Sequence, residues 1–158
     1  MGDIFAGKEV VEIGIQIEKN GKDFYNTLLK QSKNFKMQEL FKFLATEEEK
    51  HIKAFQEILE PTTKYAAQGL DSDDYFAYLN ALASEHIFTK ANTGELVAKA
   101  IKSEGEAIEK AIGFEKDSII FYEGMLKVVL DDDKKRVEAL IIQEQDHFRR
   151  LVRMKDSL

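Results

Sequence analysis

Apolar residues recur at steps of three and four along four long stretches of the chain, which predicts four amphipathic helices. The clearest stretch lies between residues 35 and 59, where only two polar residues interrupt the apolar stripe. A helix that buries this stripe must also bury a carboxylate and an imidazole, because residues three apart share a helix face. The stripe consists of Met37, Phe41, Leu44, Glu48, His51, Phe55 and Ile58.

The same periodicity and the helix-breaking residues predict five helices in all. The second long helix is predicted to end before Pro61, because the residue before a proline disfavours helical geometry. The run Asp131–Asp133 is predicted to form a turn that interrupts the helical structure between the third and fourth long helices. The predicted helices cover about 6–32, 35–59, 72–88, a third long helix from between 93 and 103 to near Leu130, and a fourth to about 156.

The lengths of the connections predict the topology. The first two long helices are joined tightly, as are the last two, so each pair forms an antiparallel hairpin. Roughly 40 residues, including the short helix 72–88, separate the two hairpins. We therefore predict an all-α fold, a four-helix bundle of two antiparallel hairpins with a long crossover, which is the ferritin-like arrangement. The length suits a single domain over residues 1–158.

The two hairpins repeat each other in sequence. Glu144 and His147 interrupt the stripe of the last helix just as Glu48 and His51 interrupt that of the second, 96 residues earlier. The segments IQIEKNGKDFY (15–25) and IGFEKDSIIFY (112–122) also align, and they place Glu18 and Glu115 97 residues apart. This pattern indicates an internal duplication of a helical hairpin, in which each half carries one Glu and one Glu-x-x-His.

The surroundings of Glu18 and Glu115 also match. Small residues lie one turn before and after each glutamate, and we expect them to keep the backbones close and to leave room near the site. A tyrosine follows two turns later in both helices, and its hydroxyl is a candidate to hold a ligand carboxylate in place. The small residues are Gly14, Gly21, Ala111 and Ser118, and the tyrosines are Tyr25 and Tyr122.

If the four stripes face one another, four carboxylates and two imidazoles converge in the bundle core. Unpaired buried charge costs several kcal/mol, so this cluster requires counterions, and two divalent cations balance four carboxylates. Mixed carboxylate and imidazole ligands suit iron or manganese, and less distinctively zinc. The predicted metal ligands are Glu18, Glu48, His51, Glu115, Glu144 and His147.

The ordered set of motifs resembles the rubrerythrin branch of the ferritin-like superfamily. IQIEKNGKDFY, TEEEKH, IGFEKDSIIFY and QEQDH carry the resemblance, which covers about the whole chain. It implies two iron ions, reduction of peroxide or dioxygen, and an electron donor. The chain has no cysteine, whereas rubrerythrins carry an iron-binding rubredoxin domain with four cysteines, so we expect any electrons to come from another protein or reductant. Ser118 stands where the resemblance implies an additional glutamate, which puts rubrerythrin-type peroxidase chemistry in question.

Other functions are compatible with the same residues. A ferritin-like iron-binding or storage protein uses a similar bundle, but encloses its mineral in a large shell. A structural or partner-binding bundle with metal needed only for folding is a third reading. These ligands do not decide between iron and manganese, so a manganese catalase is also compatible.

Composition narrows the partners. The net charge is −6 without a basic patch, which argues against nucleic acid, and no segment approaches a membrane span or a signal peptide. We expect a cytoplasmic protein that forms a homodimer or small homo-oligomer.

The third histidine, His86, is interpreted as a surface or helix-end residue. Five glutamates are interpreted as parts of solvated helix faces: Glu47, Glu49, Glu104, Glu106 and Glu109.

Overall fold

The computed structural model describes residues 2–59 and 72–158. Over these two ranges the chain forms six helices and no strand, which confirms the all-α prediction. No helix in the described part is long and apolar enough to cross a membrane. The helices are α1 (Gly2–Gln31), α2 (Phe35–Leu59), α3 (Ser72–Ser84), α4 (Gly94–Lys99), α5 (Glu104–Met125) and α6 (Asp131–Asp156).

The four long helices form two hairpins. Residues 32–34 join α1 to α2, and the side chain of Asn34 accepts a hydrogen bond from the N–H of Met37 at 3.2 Å, which satisfies one of the free donors at the start of α2. Residues 126–130 join α5 to α6. The α1–α2 hairpin packs on the α5–α6 hairpin through contacts of α1 with α5 and of α2 with α6. The predicted ferritin-like bundle is confirmed.

The four polar-interrupted stripes all face the centre of this bundle. Every residue of the predicted stripe on α2 is buried, including its carboxylate and its imidazole. The stripe on α6 is buried from Val137 to Leu151, while Met154 at its end is partly buried. On α1 and α5 the matched glutamates, small residues and tyrosines are likewise buried. The spacing of apolar residues at steps of three and four therefore predicted the core correctly.

The crossover helix is shorter than predicted, because α3 ends at Ser84 rather than at residue 88. The backbone N–H of Ile87 donates to the carboxylate of Asp117 on α5 at 3.0 Å, and the N–H of Phe88 donates to Nδ1 of His86 at 3.1 Å. Side chains thus satisfy donors that a longer helix would have bonded internally. Leu79 is fully buried, and α3 packs on α5 and α1, so the crossover helix covers part of the bundle.

Two boundaries of the third and fourth long helices differ from the prediction. The third begins as two helices, α4 and α5, whose N-termini are capped by the hydroxyls of Thr93 and Ser103. It ends at Met125 rather than near Leu130, and residues after it form turns. The run Asp131–Asp133 is not a turn but the first turn of α6, where acidic side chains favour the positive end of the helix dipole.

The sequence suggested that Gly21 leaves open space beside the site, but the structure has no such space at this position. A Cβ atom at this position would overlap the ring of Phe114, which is fully buried. The ring cannot move away easily, because it packs against Tyr25, His86 and Phe88. The small residue at position 21 therefore makes room for an aromatic ring of the opposite hairpin.

We expect Gly21→Ala to lower the free energy of unfolding by about 1–3 kcal/mol, the usual cost of overpacking a core. Gly113→Ala is the matched control, because a Cβ there meets only Ile87 Cδ1 at 3.8 Å, an ordinary contact. The control should be neutral or stabilising by up to about 1 kcal/mol, since alanine favours a helix interior over glycine. Urea denaturation measures both. Equal stability of the two variants would contradict the overlap expected between a Cβ atom at position 21 and the ring of Phe114.

Candidate metal centre

The predicted metal ligands lie together at the centre of the bundle. Glu18 comes from α1, Glu115 from α5, and the two Glu-x-x-His pairs from α2 and α6. All six side chains are 0–2% exposed. They fall into two overlapping groups, in each of which the four potential ligand atoms lie within 4.8 Å of one another. The groups are Glu18, Glu48, His51 and Glu144, and Glu48, Glu115, Glu144 and His147.

The overlap of the two groups divides the ligands by role. Glu48 and Glu144 belong to both groups, as bridging carboxylates would. Glu18 and His51 belong only to the first group, and Glu115 and His147 only to the second. Each half of the duplicated chain therefore supplies one shared carboxylate and one histidine. The arrangement can hold two cations side by side.

The inner ring nitrogen of each histidine points at these carboxylates. Nδ1 of His51 lies 2.8 Å from Glu144 and 3.4 Å from Glu18. Nδ1 of His147 lies 3.2 Å from Glu144 and 3.7 Å from Glu115. The two rings stack nearly parallel, with centroids 5.4 Å apart and planes inclined by 15°. Both Nδ1 atoms are thus the nitrogens available to a metal.

Several of the buried ligand atoms have no hydrogen-bond partner, although they lie close together. Buried polar atoms are normally paired, because an unpaired one costs about 1–3 kcal/mol. A group of unpaired oxygens and a nitrogen around one point is the donor set of a bound cation. The atoms are Glu18 Oε2, both carboxylate oxygens of Glu48, Glu115 Oε2, and the pair His51 Nδ1 and Glu144 Oε1, which lie 2.8 Å apart without hydrogen-bond geometry.

The two tyrosines hold the glutamates of the opposite hairpin. Tyr25 on α1 donates its hydroxyl hydrogen to Glu115 Oε1 on α5 at 2.6 Å. Tyr122 on α5 donates in the same way to Glu18 Oε1 on α1. Both tyrosines are fully buried. Each of these carboxylates therefore has one oxygen fixed by a tyrosine, while its other oxygen has no hydrogen-bond partner.

The electrostatics of the cluster reflect four crowded carboxylates. Burial raises the pKa of Glu18, Glu48 and Glu115, and the nearby charge of Glu144 raises each pKa further. The pKa of Glu144 is held well below its usual range, because His51 and hydrogen bonds outweigh the effect of burial. Without metal, burial and mutual repulsion therefore oppose ionisation of Glu18, Glu48 and Glu115.

The pKa values of the two histidines are raised as well, although burial alone would lower them. Burial lowers the pKa of His51, but the charges of Glu144 and Glu18 outweigh it and raise the pKa to about 12. Burial likewise lowers the pKa of His147, but hydrogen bonds and charge from Glu115 and Glu144 raise it to about 10. Both imidazoles thus carry protons at neutral pH in the protein stripped of metal. Two divalent cations would replace these protons and balance the four carboxylates.

A comparison with models of protein families matches residues 9–155 to the family described as Rubrerythrin. The chain belongs to the rubrerythrin family. Comparisons with curated proteins and with solved structures give no significant match. The family match covers both hairpins and the crossover between them, and it agrees with the resemblance that the motifs had indicated. The role of the six residues as ligands stays a prediction.

His86 is not a surface residue, as the sequence had suggested, but is 4% exposed and lies beside α5. Its Nδ1 accepts a hydrogen bond from the N–H of Phe88, so its proton is on Nε2, which lies 3.3 Å from Ser118 Oγ. Burial lowers the pKa of His86 to about 4, so it is neutral. A histidine from the crossover thus contacts Ser118, the position at which the resemblance implies an additional glutamate.

Two residues on the outer side of the histidines were also not identified from the sequence. Gln143 Oε1 lies 2.7 Å from Nε2 of His51. Glu47, which was interpreted as part of a solvated face, has a side chain only 16% exposed and lies within 4.8 Å of both histidines. The available signal was positional, because each residue immediately precedes the glutamate of a Glu-x-x-His pair.

Proposed function

We propose that this protein is a di-iron oxidoreductase that reduces peroxide or dioxygen with electrons from an external donor. The observation that carries the proposal is the enclosed cluster of unpaired ligand atoms in two groups that share Glu48 and Glu144. Membership of the rubrerythrin family supports iron as the metal, with manganese as the alternative to test.

The residues around the cluster favour chemistry with a small molecule. The six candidate ligands are almost inaccessible to solvent, and aromatic rings surround them, such as Phe55 against Tyr122 and Phe43 against His147. Such an enclosed site excludes bulk water and large substrates. When bound, two ferrous ions supply the two electrons that reduce one hydrogen peroxide, with two protons, to two waters.

The protein residues have separate tasks in this proposal. Glu48 and Glu144 would be shared by the two metal positions and would balance their charge, while His51 and His147 would each hold one position through Nδ1. The hydroxyls of Tyr25 and Tyr122 keep Glu115 and Glu18 oriented, and they leave the second oxygen of each carboxylate without a hydrogen-bond partner. Orientation of this kind keeps the ligand positions fixed as the charge of the site changes.

The electron donor and the assembly are further parts of the proposal. The 158 residues include no cysteine, so no cysteine-ligated iron centre in this chain can pass electrons to the site. We propose a separate donor protein, and a cytoplasmic homodimer or small homo-oligomer rather than a storage shell. Size-exclusion chromatography distinguishes the assemblies, because a mineral-enclosing shell elutes as a very large species.

The test is oxidation of protein-bound ferrous iron. Protein loaded anaerobically with two ferrous ions per chain is mixed with peroxide or dioxygen in a stopped-flow instrument, and formation of ferric iron is followed by absorbance. We expect faster oxidation by at least one oxidant than for free ferrous iron at the same concentration, with one peroxide consumed for every two irons. Oxidation no faster than that of free iron with both oxidants would overturn the proposal.

A second series of measurements separates turnover from storage and from a structural metal. Addition of a chemical reductant after oxidation should restore the ferrous protein and allow further cycles with constant iron content. Continued accumulation of ferric iron beyond two ions per chain would indicate storage instead. Metal that raises the melting temperature but shows no redox cycling would indicate a structural role.

A further inference from the structure

The residue before each Glu-x-x-His pair lies next to the histidine of the other hairpin. Gln143 on α6 contacts Nε2 of His51 on α2 at 2.7 Å. Glu47 lies 96 positions before Gln143, the same offset that relates the two Glu-x-x-His pairs. The duplication therefore predicts that Glu47 occupies the corresponding place beside His147.

The distances agree with this correspondence. A carboxylate oxygen of Glu47 lies within 4.8 Å of a ring nitrogen of both His51 and His147. Nδ1 of each ring faces the inner carboxylates, and Nε2 of His51 contacts Gln143. By the same correspondence, Nε2 of His147 is the nitrogen expected to face Glu47. A separation of this size closes by rotation of the side chain or by one bridging water.

The side chains of Glu47 and Gln143 differ in charge. Glu47 has an acidic side chain, and its Oε1 lies 2.9 Å from Lys50 Nζ, within ion-pair distance. Gln143 is a neutral amide, and it presents its carbonyl oxygen to Nε2 of His51. A carboxylate that accepts the outer N–H of a histidine makes the inner nitrogen a stronger metal ligand than a neutral acceptor does.

We propose that Glu47 and Gln143 are positioning residues for the two histidines, and that their difference in charge makes the two metal positions unequal. The inference rests on the proposed metal centre. The position that contains Glu115 and His147 binds a divalent cation more tightly than the position that contains Glu18 and His51. The inequality arises outside the ligand set, which is nearly symmetric.

The test is calorimetric titration of the metal-free protein with Co²⁺ alone. We expect two stepwise binding constants for the wild-type chain. Glu47→Gln should weaken the tighter constant by about tenfold or more, the usual effect of losing such a partner, and bring the two constants together. Gln143→Glu should instead strengthen the weaker constant. Glu49→Gln is the control, because it removes a charge from the same turn of α2, where Glu49 pairs with Lys22.

A spectroscopic readout separates positioning from general electrostatics. In Co²⁺-loaded protein each histidine Nε2–H gives an exchangeable, strongly shifted proton resonance. Glu47→Gln should move the signal of His147 and Gln143→Glu that of His51, while Glu49→Gln should move neither. Two-site binding that both substitutions leave unchanged would overturn this inference alone. Failure of the wild-type chain to bind Co²⁺ at all would overturn the metal centre together with it.

Discussion

Replacement of both Glu48 and Glu144 by glutamine is expected to abolish binding of both metal ions. These carboxylates belong to both groups of candidate ligands, so their loss removes charge and donors from the two positions at once. Loss of an outer partner already costs about 10–100-fold in metal affinity, and loss of a shared ligand should cost more than about 100-fold. The measurement is metal content per chain by plasma mass spectrometry, on protein purified without chelators and again after anaerobic reloading with ferrous iron.

The matched control is Glu49→Gln with Glu138→Gln. It makes the same change of composition on the same two helices, but neither of these side chains is buried. The control should retain the metal content of the wild-type chain. Equal metal content in the two double variants would contradict the assignment of the centre, and would direct attention to the surface of the bundle.

The affinity for metal is expected to rise steeply with pH. The pKa of His51 is raised to about 12 and that of His147 to about 10, so both imidazoles carry a proton at neutral pH. A histidine binds metal only in its neutral form, and two protons must therefore leave when both metals bind. The overall constant for binding two metals should increase by at least about 100-fold per pH unit over about pH 6 to 8. Protonated carboxyl groups in the cluster would make the dependence steeper.

Two measurements check this dependence. Titration of metal-free protein with Mn²⁺, which resists oxidation, gives the binding constant at each pH. Calorimetry in buffers of different ionisation enthalpy gives the number of protons released. Release of fewer than two protons at pH 7 would show that at least one histidine is already neutral without metal.

The core and the candidate centre were predictable because they follow the period of the helix. Glu48 and His51 lie in a stripe spaced by three and four residues, and such a stripe faces inward whatever the loops do. The duplication added independent information, because each half of the chain carries a matched set of candidate ligands. The crossed contacts of Tyr25 and Tyr122 follow the same correspondence.

Features that depend on contacts between distant segments were not predictable in this way. α3 ends early because Asp117, 30 residues further along the chain, accepts the N–H of Ile87, and no local pattern encodes that contact. His86 was misassigned for the same reason, because its burial depends on where the chain passes after α3. The helical period also does not predict how aromatic rings pack. Gly21 indicated open space, but Phe114 fills that space in the structure.

The presence of both hairpins in one chain has a genetic consequence. In an assembly of two identical hairpins, a single codon would specify the residue before both Glu-x-x-His pairs, and every change would occur on both sides at once. The covalent joining of the hairpins gives each position its own codon. Glu47 and Gln143 can therefore differ, as can Gly21 and Ser118, and mutation can adjust one side of the bundle while the other side is inherited unchanged.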